Sequence, residues 1–198
     1  MLLSGDLFEA KASLQTLRNV QKALEKAGMP VFICPGNHDF ICPNSPYEAD
    51  GWPENVHIFK ETKINSVTLP ELNCKIYGAG YTSMDCPPLL KDFQAEGDER
   101  WHIGLLHGEA DTAHGSYCPI SKEQLRNSAL SYLALGHIHR CSDLQQEGDT
   151  FWAYPGCPEG RGFDELGEKG FLFGTVEKDH VDLRFVPFAR RRYAVVEV

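Results

Sequence analysis

No apolar run in the chain approaches the ~20 residues that a membrane-spanning helix needs, and the start, MLLSGDLFEA, carries no basic leader. Neither a membrane protein nor a chain secreted by that signal is expected. The seven cysteines are odd in number and form no C-x-x-C pair, which argues against a disulfide framework or a zinc ribbon and fits reduced thiols in a cytoplasm. Basic residues are also in deficit. A formal net charge of −9 excludes a broad basic surface that would hold a polyanion by counterion release, so a nucleic-acid substrate would need bound divalent cations to supply positive charge locally. There is no internal repeat and no low-complexity segment.

What is present suits one folded domain spanning 1–198. Apolar residues make up 42% and charged residues 24% of the 198 positions, enough for a full hydrophobic core. Met1 to Ser4 is an apolar run ending in Gly-Asp, the pattern of a buried strand opening into a loop. From Ala12 to Ala27, Leu14, Leu17, Val20, Leu24 and Ala27 recur at spacings of three and four until Gly28 and Pro30, which predicts an amphipathic helix. Val31 to Cys34 then predicts a second strand and completes a parallel β-α-β unit. Lys75 to Tyr81, Ile103 to Leu106 and Tyr132 to Leu135 read as further strands, and Ser121 with Gln124 as a capping box. FLFGTVE and VDLRFVPF read as a hairpin across Lys178 to His180, YAVVEV as one more strand, and Cys42 to Pro53 as a surface loop.

Four strand ends present metal ligands: Asp6 in SGD, Asn37 in GNHD, His107 in LLHG, and His137 with His139 in LGHIH. Ligands in open α/β sheets bind beyond the carboxyl ends of strands, so these loops can share one site. Oxygen donors mixed with imidazole suit Mn²⁺ first, with Fe or Zn²⁺ as alternatives, better than Ca²⁺ or a thiolate-bound structural zinc. One histidine at a strand end is more often bonded to backbone than to metal; several beside glycines are not an expected coincidence. His57, His102, His114 and His180 have no motif around them and read as surface or structural.

The order GD, GNHD, H and GHIH resembles the calcineurin-like metallophosphoesterases, whose pattern is D-x-H, G-D-x-x-D, G-N-H-[DE], H-G and G-H-x-H. The resemblance implies an α/β fold, a four-layer α/β/β/α sandwich, and two divalent metals activating a water that attacks phosphorus in line. It implies that Asp6 bridges the metals, that Asn37, His107 and His137 complete one site, and that His139 belongs to the other. It makes His38 the group that protonates or stabilises the leaving oxygen, with Asp39 orienting it.

Two departures qualify these expectations. Position 9 is Glu where the pattern most often has Asp, and no D-x-H stands before Asp6. The expected consequence is a chain shorter by about one strand and helix, whose second metal keeps only Asp6 and His139 and binds weakly. The stretch Tyr154 to Phe171, YPGCPEGRGFDELGEKGF, is similar to the DNA-repair exonuclease branch of SbcD/Mre11-like nuclease subunits. That branch implies DNA as substrate, a coiled-coil ATPase as partner, and a capping region beginning near 193–198. Arg190 to Arg192 reads as a solvated edge rather than a nucleic-acid contact. The leading expectation is a Mn²⁺-dependent phosphodiesterase of exonuclease type. A phosphodiesterase for a small substrate such as a cyclic nucleotide is the second, and a catalytically impaired metal-binding module the third.

Overall fold

A computed structural model describes residues 1–8, 12–177 and 180–196; Glu9 and Lys178, which figure in the expectations above, lie outside them. In chain order the elements are β1 (Leu2–Leu3), α1 (Leu14–Ala27), β2 (Val31–Ile33), β3 (Val56–Ile58), β4 (Asn65–Leu69), β5 (Cys74–Gly78), β6 (Trp101–His107) and β7 (Glu109–Ala110). There follow β8 (Pro119–Ile120), α2 (Lys122–Asn127), β9 (Tyr132–Gly136), β10 (Gln145–Glu147), β11 (Thr150–Ala153), β12 (Gly170–Glu177) and β13 (His180–Pro187). The mixed α/β class expected from the sequence is the one observed.

Strands β1, β2 and β3 form a parallel three-stranded sheet, and β10-β11-β9-β6-β5-β4 form a six-stranded one whose central members run parallel and whose outer pairs are antiparallel. Parallel strands are covered on both faces, and their residues show it: Val31, Phe32 and Ile33 are all buried, as are Ile103 through His107. Three apolar clusters hold the sheets. Leu17 and Leu24 of α1 pack with Val31, Ile33, Phe8 and Tyr47; Phe32 and Phe59 meet Ile76, Leu105 and Tyr132 between the sheets; Leu106, Leu133 and Leu135 meet Leu125 and Leu130 on the far face.

Helix α1 begins where Ser13 accepts a hydrogen bond from the Thr16 N–H and ends at Gly28, whose φ of 62° is left-handed. Its buried stripe is Leu17, Gln21 and Leu24 rather than one that includes Leu14, which is 73% exposed. Gln21 is tolerated inside because its Nε2 donates to the Asp50 carbonyl at 3.0 Å. The Ser121–Gln124 capping box of α2 forms as expected, and β12 pairs with β13 from Gly170↔Pro187 to Glu177↔His180.

Two expectations are overturned. The stretch from Cys42 to Pro53 is not simply a surface loop: Ser45 caps a 3-10 turn over Pro46–Glu48 that buries Tyr47 completely, against Phe8 and Trp52. YAVVEV makes no strand among its described residues. Tyr193 forms an isolated bridge with Leu166, while Val195 and Val196 are about three-quarters exposed and find no sheet to join. Arg190 to Arg192 accordingly stand at no strand entry; Arg191 Nε donates to Glu159 Oε1 at 3.0 Å on the exposed surface.

The residue after β1 lies against β9 at Gly136, where a Cβ would lie 1.7 Å from the Ser4 carbonyl oxygen and 2.9 Å from His107 Nδ1. Backbone cannot yield there as a flexible side chain would. Gly136→Ala is therefore expected to lower unfolding free energy by about 1–3 kcal/mol, seen as a lower urea midpoint at unchanged m-value; an unchanged midpoint would show that β1 is not packed against β9 as described.

Candidate metal centre

The ends of β1, β2, β6 and β9 converge because their parallel strands carry the loops to one side, as parallel sheets do. Gly36 lets this happen at close range: a Cβ there would meet Asp6 Oδ1 at 2.2 Å and His107 Cε1 at 2.8 Å. Asp6 and His137 hold φ values of 53° and 95°, unfavourable for side chains with a Cβ. Non-glycine residues kept in this region cluster at functional sites, where surrounding contacts over-determine them.

Within the group, His107 Nε2 lies 2.9 Å from Asn37 Oδ1 and 3.3 Å from Asp6 Oδ2, and His137 Nδ1 lies 3.2 Å from Asn37 Oδ1. The tautomers follow from the outer contacts. His107 Nδ1–H donates to the Ser4 carbonyl at 2.8 Å, which leaves a lone pair on Nε2. His137 Nε2 lies 3.3 Å from Glu109 Oε1, so a proton on that nitrogen leaves the Nδ1 lone pair facing Asn37.

Two imidazole lone pairs, an amide oxygen and a carboxylate oxygen thus face one another in a largely buried space. That arrangement is repulsive unless positive charge sits among them. A single cation resolves all three contacts without charging either ring, and ligands bound at ~2.1 Å stand about 3.0–3.5 Å apart, close to the separations seen. The donor set fits a divalent metal. Glu109 and Ser4 complete it from outside, and neither was singled out from sequence; the acid two residues beyond His107 in LLHGEA was the signal available for Glu109.

Electrostatics agree. Burial raises the Asp6 pKa, but a His107 ring that also carries a proton on Nε2 offsets it by hydrogen bond and charge, with help from the backbone N–H of His38, and the carboxyl lies below its usual range; a cation among the donors would take the place of that proton. The His137 pKa is lowered, first by burial and then by the neighbouring His107, against the upward pull of Glu109. A neutral imidazole is what a metal requires.

His38 is exposed beside this group, its backbone N–H donating to Asp6 Oδ1 at 2.9 Å. Asp39 is buried, and its carboxylate accepts hydrogen bonds from the backbone N–H groups of Gly36, Asp6 and Phe8 and from the Tyr47 hydroxyl. The resemblance assigns Asp39 to orienting His38; the contacts seen make it the tie between the loops after β1 and β2. His139 is placed differently from the other histidines. Its ring is half exposed, and Nδ1 is bonded to Glu165, a residue not singled out from sequence.

A family model described as calcineurin-like phosphoesterase matches residues 1–141. A Bacillus subtilis (strain 168) protein named uncharacterized metallophosphoesterase YhaO is 33% identical over 204 residues, covering 93% of this chain and 47% of the relative. The chain spans about half the length of that relative.

The histidine shifts set a pH dependence for the metal-free protein. His57, His102 and His137 are each held below the ordinary imidazole value of 6.5, mainly by burial. Below pH 6.5 the unfolded chain therefore binds more protons than the folded one, and stability falls as pH falls. Urea unfolding across this window should show that slope, and His137→Gln should reduce it; an unaltered slope would mean that His137 is not held neutral by the fold.

Proposed function

The chain belongs to the calcineurin-like phosphoesterases, and from that premise we propose that it is a phosphodiesterase of DNA-exonuclease type. The observation that carries the proposal is the convergence of Asp6 Oδ2, Asn37 Oδ1, His107 Nε2 and His137 Nδ1 on one space. Family members use divalent metals, and Mn²⁺ is the ion this oxygen-and-imidazole set favours. When bound, such ions acidify a water and offset the charge gathering on phosphorus.

The chain's own residues do the rest. Asp6, Asn37, His107 and His137 hold the centre, Asn37 adding an oxygen donor without another negative charge to repel the phosphate. A second ion would be held by Asp6 and His139. His38, exposed at the rim, donates a proton to the leaving oxygen. Asp39 fixes the backbone from Gly36 that carries both Asn37 and His38. DNA as substrate and a coiled-coil ATPase as partner rest on the similarity of Tyr154 to Phe171 to the exonuclease branch. The net charge of −9 favours the second reading, a small phosphodiester such as a cyclic nucleotide.

The test is hydrolysis of bis(p-nitrophenyl) phosphate by metal-stripped protein given Mn²⁺. His38→Gln should lower kcat by roughly 10²-fold or more while leaving Mn²⁺ affinity intact. Asn37→Ala should weaken Mn²⁺ binding and be partly rescued by excess metal. Unchanged rates in both would sink the assignment. Linear DNA compared with cyclic nucleotides then decides between the two substrate classes.

A further inference from the structure

Beyond the Asp6 centre, a second group of metal-type donors stands where the loop after β9 meets the segment after β11. His139 Nδ1, Cys157 Sγ and a Glu165 carboxylate oxygen all lie within 4.8 Å of one another. Both His139 Nδ1 and the Cys157 thiol, at 3.7 Å, converge on the same oxygen, Glu165 Oε1. We propose that His139, Cys157 and Glu165 form a binding site for a borderline divalent cation of the Zn²⁺ type, separate from the Asp6 centre.

The chemistry of the donors makes the choice of cation. One thiolate, one imidazole and one carboxylate with an open fourth position is a zinc-type set, whereas hard ions such as Mn²⁺ and Mg²⁺ prefer oxygen-rich ones. The Asp6 centre, built of oxygen and nitrogen alone, has the opposite preference.

The backbone is already arranged for capture. Cys157 N–H donates to the His139 carbonyl at 3.3 Å, and the buried Lys169 ammonium donates to the same oxygen at 3.1 Å, so the two segments are clamped together. Glu165 Oε2 is held by the Arg161 backbone N–H, which leaves Oε1 as the oxygen presented to the other two donors. His139 Nδ1–H points toward that oxygen, and the Cys157 thiol has two acceptors within reach, the His139 carbonyl at 3.6 Å and Glu165 Oε1 at 3.7 Å.

Charge and protons balance on binding. The thiol proton leaves to solvent, the imidazole carries its proton on Nε2 instead of Nδ1, and a dication joins one thiolate and one carboxylate to give a neutral set. Burial, and more weakly the nearby Glu165, raise the thiol pKa against the opposing pull of the Lys169 ammonium, so the cation must displace that proton, as metals do for coordinating thiols. One consequence concerns His139 alone. With its proton on Nε2 it has no lone pair to offer the second ion of the Asp6 centre, so the two uses of this ring exclude each other.

Co²⁺ titration of the metal-stripped full chain tests the proposal, because a cobalt–thiolate bond gives a charge-transfer band that oxygen and imidazole ligands do not. The band is expected in the unaltered protein, absent in Cys157→Ser, and weakened in Glu165→Gln. Zn²⁺ bound in equilibrium dialysis should fall by one equivalent in Cys157→Ser, with far-UV circular dichroism confirming its fold. The band should survive in Asn37→Ala, which weakens the Asp6 centre, so this result stands apart from success or failure of the hydrolysis proposal. No band in the unaltered protein, or one that persists in Cys157→Ser, would overturn the site. So would Zn²⁺ stoichiometry unaltered by Cys157→Ser, which would leave Glu165 as a positioning contact for His139.

Discussion

Asp39 accepts hydrogen bonds from the backbone N–H groups of Gly36, Asp6 and Phe8 and from the Tyr47 hydroxyl, and the placement of every candidate ligand on β1 and β2 depends on that carboxylate. Burial, with a smaller push from the charge of Asp6, drives its pKa upward, the donors drive it back, and the net shift is upward. A carboxylate buried to 1% exposure is tolerable only because its lone pairs are filled. A hydrogen bond to a charged group contributes about 1.5–3 kcal/mol, and a buried group stripped of its partner costs the desolvation as well. The arrangement is stiff in consequence. Moving the loop after β2 would break bonds to the loop after β1, and both carry candidate ligands.

That stiffness is what allows the centre to hold its donors in mutual repulsion. The lone pairs of His107 and His137 are directed inward by contacts outside the group, the Ser4 carbonyl for one ring and Glu109 for the other. Asp6 and His137 meanwhile hold left-handed backbone conformations that cost of order 1–3 kcal/mol each. A chain folding for stability alone has no reason to keep either feature. A cation among the donors turns the first into attraction, and the binding free energy offsets the backbone cost of the second.

Much of this was legible in the sequence, and the parts that were not share a cause. Asp6, Asn37, His107 and His137 could be read because each ends an apolar run, and parallel strands bring such ends together whatever lies between. The β-α-β unit and the Ser121–Gln124 box were legible for a similar reason, since both are set by residues within a few positions of each other. Asp39 could be read as important but not for its contacts, because these depend on Tyr47 being driven inward by a proline-rich stretch that looks like surface. The stripe of α1 shifted from Leu14 to Gln21 because the Asp50 carbonyl, far along the chain, satisfies the amide. Glu109 and Glu165 were invisible as site residues; an isolated acid acquires such a role only when the fold sets a histidine against it.

His137 and His139 then show how two identical side chains in one short motif acquire different chemistry. Both have a ring nitrogen against a glutamate, but through opposite atoms. Glu109 lies against Nε2 of His137 and so directs Nδ1 toward Asn37, whereas Glu165 takes Nδ1 of His139 and frees Nε2. The carboxylate decides which nitrogen is available to a metal. For His137 the choice is closed, since the ring is packed between His107 and Tyr117. His139 is half exposed and has Cys157 beside the same carboxylate, so its nitrogen can be claimed from either side. The Nδ1 atom of His139 is thereby tied to a cysteine and a glutamate that lie outside the strand-end motifs altogether.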